Sequence, residues 1–188
     1  MTEDLRTILE SGAVSAARAL IGWRLYAKEP DGTLTGGTII ETEAYTQEDA
    51  ASHSYRGQTP RTEVMFGPAG GIYIYFTYGM HWCMNIVTGK PGHGEAVLLR
   101  ALSPDKGIAV MSSRRGKSPE SKLTDGPAKL CQALNITGED NGSVLGKSRI
   151  IIECPLEKLK VHATKRIGIK NNTHRLWRFI ALDGSNPV

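Results

Sequence analysis

The chain has 188 residues, 40% of them hydrophobic and 22% charged, with a formal net charge of +4 and a pI of about 9.0. That is enough chain for one domain with a real core, and the composition excludes a disordered or low-complexity protein. The mild basicity suits a polyanionic partner and equally an ordinary solvated surface. Three cysteines, Cys83, Cys131 and Cys154, lack C-x-x-C spacing, which argues against a disulfide framework and for a reducing compartment. No apolar run approaches the ~20 residues of a membrane span, and the acidic N-terminus is unlike a signal peptide. The expected location is cytoplasmic, with no membrane partner.

Taken in order, Leu5, Ile8 and Leu9, then Ala16, Ala19 and Leu20, recur at spacings of three and four. They predict two short helices between Glu3 and Ile21, parted at Gly12 and stopped at Gly22. Trp23 to Lys28 reads as a strand, Pro30-Asp31-Gly32 as a turn, and Leu34 to Glu43 as the hairpin partner. If that strand continues through Tyr45, period two puts Glu41, Glu43 and Tyr45 on one face and Ile40, Thr42 and Ala44 on the other. Carboxylates facing a core need partners, so the polar face should look into a cleft. Residues 55–64 read as a polar loop. Ile72 to Tyr78 is β-branched and aromatic, a strand with Tyr73 and Tyr75 on one face and Tyr78 at its end. Strands are expected at Trp82–Thr88 and Glu95–Leu102, then a helix at Asp105–Ser113 and a basic loop at 114–119. Pro127 opens a helix through Leu134. Ser148–Cys154, Val161–Ile169 and Leu176–Leu182 read as the last strands. Strands outnumber helices and sit as hairpin neighbours, so the expected fold is α+β but β-rich: a curved antiparallel sheet or open barrel with peripheral helices in one domain, 1–188.

The residues that could carry chemistry cluster between Ile39 and Asn85. Glu41 and Glu43 have the residue types of a glycosidic acid–base pair, but i, i+2 spacing serves a structural ion pair as well. Tyr45, Tyr73, Tyr75 and Tyr78 fit core packing, or a stacking wall for a planar ligand such as a nucleobase. His53, His81, Cys83 and His93 match no zinc spacing, so no metal is expected. Gly67-Pro68-Ala69-Gly70-Gly71 precedes a strand and lacks the Lys-Ser/Thr of a phosphate loop. Arg114-Arg115 could meet phosphates or simply be solvated. These residues leave open a glycosylase, a non-enzymatic nucleic-acid binding module and a carbohydrate hydrolase.

Several ordered segments narrow the choice. Glu41-Thr42-Glu43-Ala44-Tyr45, Ala50-Ala51-Ser52-His53-Ser54, Thr59-Pro60-Arg61, Met65-Phe66, Tyr73 through Met80, Cys83-Met84-Asn85, Val97 through Leu102 and Asp125 through Leu134 together closely resemble the alkyladenine (3-methyladenine) DNA glycosylase family, the type without a helix-hairpin-helix. The resemblance covers nearly the whole chain. It implies a compact monomer without cofactor or metal, which flips alkylated or deaminated purines from double-stranded DNA and hydrolyses the N-glycosidic bond, leaving an abasic site and an uncut strand. It further implies that Glu43 is the general base, that Arg100 helps to hold the attacking water, and that the backbone carbonyl of Ile167 completes that water's shell. Tyr45, His53 and Tyr75 would wall the base pocket, Asn85 would clash with the amino group of guanine, Tyr78 would wedge into the minor groove, and Met65 would flank the wedge. The chain departs from the family pattern in a shortened Lys170–Arg175 loop, in an early stop at Gly184–Val188, and at His81-Trp82 beside the wedge.

Overall fold

Nine of the twelve α and β elements come where the periodicity expects them, within two residues or so at their ends. The structure, a computed structural model, describes residues 1–182; the Gly184–Val188 departure lies outside the described residues. Helix α1 (Glu3–Glu10) is capped by Thr2, whose side chain accepts from Leu5 N at 3.3 Å, and has Glu3 and Asp4 in its first turn. Gly12, at φ +89°, separates it from α2 (Ala13–Ala19). The strands are β1 (Arg24–Lys28), β2 (Leu34–Tyr45), β3 (Ile72–Thr77), β4 (His81–Val87), β5 (Ala96–Lys106), β6 (Ile150–Glu153), β7 (Lys160–Thr164) and β8 (Arg178–Leu182), with helices α3 (Ile108–Arg114) and α4 (Pro127–Ala133) after β5.

Every strand pairing is antiparallel, in the order β3-β4-β5-β2-β1-β6, and β8 joins β7 to β2. The β2 strand is the hub. One edge pairs with β5 from Gly36 to Tyr45; the other pairs first with β1, from Leu34 to Thr38, and then with β8, from Glu41 to Glu43. Two strands taking one edge in succession must splay apart, so the sheet curls into a half-barrel. Register shifts on either side of Glu41 leave Ile40 and Arg100 without a cross-strand partner. Such bulges bend a strand and re-aim its side chains. At Gly37 the close crossing leaves no room for a side chain: a Cβ there would lie 2.0 Å from the Ser103 carbonyl.

The alternation along β2 builds both sides of the molecule. Thr42 and Ala44 turn toward α2, where Thr42 Oγ1 donates to the Ala17 carbonyl at 2.7 Å and the small Ala13, Ala16 and Ala17 allow close approach. The helices and this face of the sheet enclose the main apolar core. Glu41, Glu43 and Tyr45 take the other side. A smaller cluster of Met65, Tyr73, Val87 and Ala96 underlies that side. Among the described residues no helix is long and apolar enough to cross a membrane.

Three elements differ from expectation. The β5 strand runs on to Lys106, paired with Gly36, so helix α3 begins at Ile108 instead of Asp105. The polar loop after Ser52 contains 3-10 turns at His53–Arg56 and Glu63–Phe66. The strand expected over Val161–Ile169 ends at Thr164, because Arg166 turns inward to a buried partner, Asp49.

Candidate active site

The polar face of β2 opens into a cavity of about 370 Å³, and all nine residues singled out from the sequence line it: Glu43, Tyr45, His53, Met65, Tyr75, Tyr78, Asn85, Arg100 and Ile167. Three chain segments close around it. The β3–β4 hairpin supplies Tyr75, Tyr78 and Asn85, the 3-10 turn capped by Ser52 supplies His53, and the loop after β7 supplies Ile167.

Glu43 has no solvent-accessible surface. Two hydrogen bonds and an ion pair converge on its carboxylate: Tyr45 Oη donates to Oε2 at 2.7 Å, the Ile167 amide donates to Oε1 at 2.8 Å, and an Arg100 guanidinium nitrogen lies 3.3 Å from Oε1. A carboxylate offers about four lone-pair sites, so the two hydrogen bonds leave room for a further donor. The N–H of Ile167 reaches Glu43, a contact that the expectation for this residue, framed on its carbonyl, did not include. The cause is the inward turn at Arg166, which presents the next amide to Glu43.

Glu41 plays a different part. Its Oε1 accepts from Arg100 Nε at 2.7 Å and Arg178 Nε at 2.5 Å, and it does not line the cavity. The two acids are therefore not a catalytic pair: Glu41 orients Arg100, and Arg100 reaches Glu43. Burial works against the Arg100 charge, but Glu43 and Glu41 outweigh it and raise its pKa above the ordinary value. Burial, then the Glu43 charge and hydrogen bond, push the Tyr45 phenol well above its ordinary pKa, so it donates.

The aromatic walls are tightly arranged. Tyr73 and Tyr75 lie 5.8 Å apart at 30°, as their shared face requires, and His53 stands edge-on to Tyr75 at 4.6 Å. His53 Nδ1 is 3.0 Å from Tyr73 Oη, a contact the sequence reading missed. Burial, then the nearby Arg61 guanidinium, lowers the His53 pKa below 6.5, so its ring is neutral at pH 7. Asn85 Nδ2 donates to the Tyr73 carbonyl across the hairpin at 3.1 Å, which fixes its amide plane.

At the rim, Tyr78 is 85% exposed at φ +51°, and Gly79 follows at φ +67°. Positive φ at both central positions is the pattern of a tight mirror-image hairpin turn, which ordinarily takes Gly, Asn or Asp. A tyrosine there costs about 1–2 kcal/mol with no packing to offset it. Met65 lines the same cavity as Tyr78. It is 2% exposed in the cavity floor, against Tyr73, because the 3-10 turn at Glu63–Phe66 folds it inward. The methionine beside Tyr78 is Met80, 71% exposed, which the sequence reading passed over although it closes the same turn.

The surroundings are basic. Residues 158–178 hold seven Lys or Arg and no Asp or Glu, so the positive balance of the chain resides there, and Ile167 to Ile169 within it line the cavity. Among the described residues no group of three or more His, Cys, Asp or Glu could hold a metal ion.

Comparison with known proteins agrees with this geometry. A family model described as Methylpurine-DNA glycosylase (MPG) matches residues 7–185. A protein of Agrobacterium fabrum named "Putative 3-methyladenine DNA glycosylase" is 44% identical over 180 residues, 96% of this chain and 89% of its own. Proteins of the same name from Carboxydothermus hydrogenoformans and Methanoculleus marisnigri are 48% identical over 155 residues and 44% identical over 184, covering 81% of both chains in the first case and 95% and 94% in the second. With a match across nearly its whole length, the chain belongs to the methylpurine-DNA glycosylase family and is, with it, an N-glycosyl hydrolase of DNA base-excision repair.

Proposed function

We propose that this enzyme flips an alkylated or deaminated purine, such as 3-methyladenine or hypoxanthine, into the cavity and cleaves its N-glycosidic bond with a water activated by Glu43. The observation that carries the reading is the buried Glu43 carboxylate, held by two hydrogen bonds and the Arg100 ion pair, next to a slot walled by Tyr45, Tyr75 and His53. The bond between C1′ and the base nitrogen breaks, and its electron pair leaves with the base. The water oxygen joins C1′, and Glu43 takes the water proton through its remaining lone pair. The carboxylate also steadies the positive charge that develops on the sugar, in a site from which bulk water is excluded. Arg100 and the Ile167 amide hold the carboxylate still, and Arg100 aids in placing the water. The products are a free base and an abasic site in an uncut strand.

Selection is divided among the walls. A cationic alkylated purine stacks on electron-rich rings, and its glycosidic bond is already weak. Asn85, its amide plane fixed, is placed as the barrier to the amino group of guanine. Tyr78 enters the duplex from the minor groove and fills the vacated stack, offsetting part of the few kcal/mol that unstacking costs. The enzyme acts as a monomer and a single domain, 1–188; that the whole set lines one cavity of one chain supports this reading.

The direct test is free-base release from duplexes carrying single lesions, followed by strand analysis before and after alkali. Release of 3-methyladenine and hypoxanthine, with strand scission only after alkali, is expected; scission without alkali, or no release, contradicts the reading. Tyr78→Asn should leave the melting temperature unchanged or raised, since Asn tolerates the left-handed region. It should also slow release from duplex by roughly tenfold or more, and from single strands less, as the unstacking cost requires. Equal rates on duplex for the variant and the parent enzyme would remove the wedge. Because the folded His53 pKa lies below its unfolded value, the neutral ring and the stability it contributes are fully present above pH 6.5 and are lost as pH falls through the lowered folded pKa. Excision of the cationic base should therefore hold through pH 6.5 and fall only below it, with His53→Gln removing that acid limb; a limb centred above 6.5 would contradict this.

A further inference from the structure

Arg166 is buried together with its carboxylate partner Asp49, and neither lines the cavity. One guanidinium nitrogen donates to Asp49 Oδ2 and, at 2.8 Å, to the Ala44 carbonyl. Asp49 also accepts from Asn172 Nδ2 at 2.7 Å and the Ala51 amide at 3.1 Å. Burial alone would raise the Asp49 pKa, but these hydrogen bonds hold it below the usual carboxylate range, so both partners are charged. The other two nitrogens of Arg166, Nε and the second terminal nitrogen, are buried with no hydrogen-bond partner. Unpaired donors on a buried cation are costly, and an apolar pair would commonly fill such a space at least as well.

What the arrangement secures is a permanent cation on Tyr45. The guanidinium lies 4.6 Å from the centre of the Tyr45 ring and 5.3 Å from that of Trp177. Tyr45 lines the cavity and Arg166 does not, so the guanidinium covers the ring from behind. An aromatic face attracts cations through its quadrupole. With one face already occupied, a cationic base on the other meets a residual positive field, partly offset by Asp49, whereas a neutral base does not. Tyr45 is thereby a weaker platform for charged purines than a bare tyrosine would be.

We propose that Arg166, held by Asp49, is a specificity-determining residue: it sits behind Tyr45 and moderates the preference of the pocket for cationic over neutral damaged purines. This rests on the reading in which the flipped base stacks on Tyr45. A merely structural role would slow excision of every base alike, whereas a charge behind the ring changes the ratio between bases.

The test measures single-turnover release of 3-methyladenine from methylated DNA and of hypoxanthine from an inosine duplex, and reports their ratio for each variant, so that general losses of activity cancel. Arg166→Lys keeps the cation, Asp49→Asn with Arg166→Met removes both charges, and Arg166→Gln leaves the carboxylate alone. The 3-methyladenine to hypoxanthine ratio should stay near that of the parent enzyme in the first, rise by roughly threefold to tenfold in the second, and rise further in the third. A ratio that stays unchanged or falls on loss of the cation overturns the proposal. If the double variant does not fold, the comparison of Arg166→Lys with Arg166→Gln decides in the same way. Failure of the parent enzyme to release either base would instead reject the glycosylase reading itself.

Discussion

A carboxylate with no access to solvent is the constraint around which this molecule is arranged. Glu43 can be buried only because partners meet it from three directions: hydrogen bonds from a phenol two residues along its own strand and from a backbone amide in a loop 124 residues away, and an ion pair with a guanidinium from the neighbouring strand. An unpaired buried charge would cost several kcal/mol, so these contacts are conditions of folding as well as of chemistry. Their effect is to hold the carboxylate in one place with a lone pair to spare.

The sheet supplies the means. A flat, regular β2 would leave Glu41 and Arg100 in ordinary cross-strand positions. The register shifts around Glu41 let Arg100 bridge both acids, Glu41 from Nε and Glu43 from a terminal nitrogen. Splaying β1 and β8 along one edge of β2 opens the concave side that becomes the cavity, and α2 fills the convex side with alanines. Asp49 and Arg166 then tie two lips of the cavity together, the turn that leads to His53 and the loop that presents Ile167. The Tyr78 turn carries backbone strain at the rim of the cavity, with the ring left exposed.

Much of this was legible in the residues. Period two along Glu41, Glu43 and Tyr45 required a polar cleft on one face of β2, and the same period paired Tyr73 with Tyr75. The ordered motifs drew His53, Asn85 and Arg100 to the same site, although they come from separate elements. What stayed hidden depends on how separate segments meet. Whether Met65 or Met80 reached the surface turned on a 3-10 turn that no periodicity marks. That the Ile167 N–H reaches Glu43 turned on which way the chain runs past Arg166. The Asp49–Arg166 pair joins positions 117 apart, and nothing local marks it, since Asp49 follows another acid, Glu48, and Arg166 another base, Lys165. The end of β7 at Thr164 has the same origin, since a strand continued to Ile169 would carry Arg166 away from Asp49.

The measurement that bears most directly on the central claim is single-turnover base release by Glu43→Gln, alongside its binding to a lesion-containing duplex. Glutamine keeps the size and most of the hydrogen-bonding capacity of the side chain but cannot take a proton from water. Loss of release by about three orders of magnitude, with duplex affinity close to that of the parent enzyme, is the result expected of a general base. Release within tenfold of the parent rate would mean that another group activates the water, and that the buried carboxylate serves the fold alone.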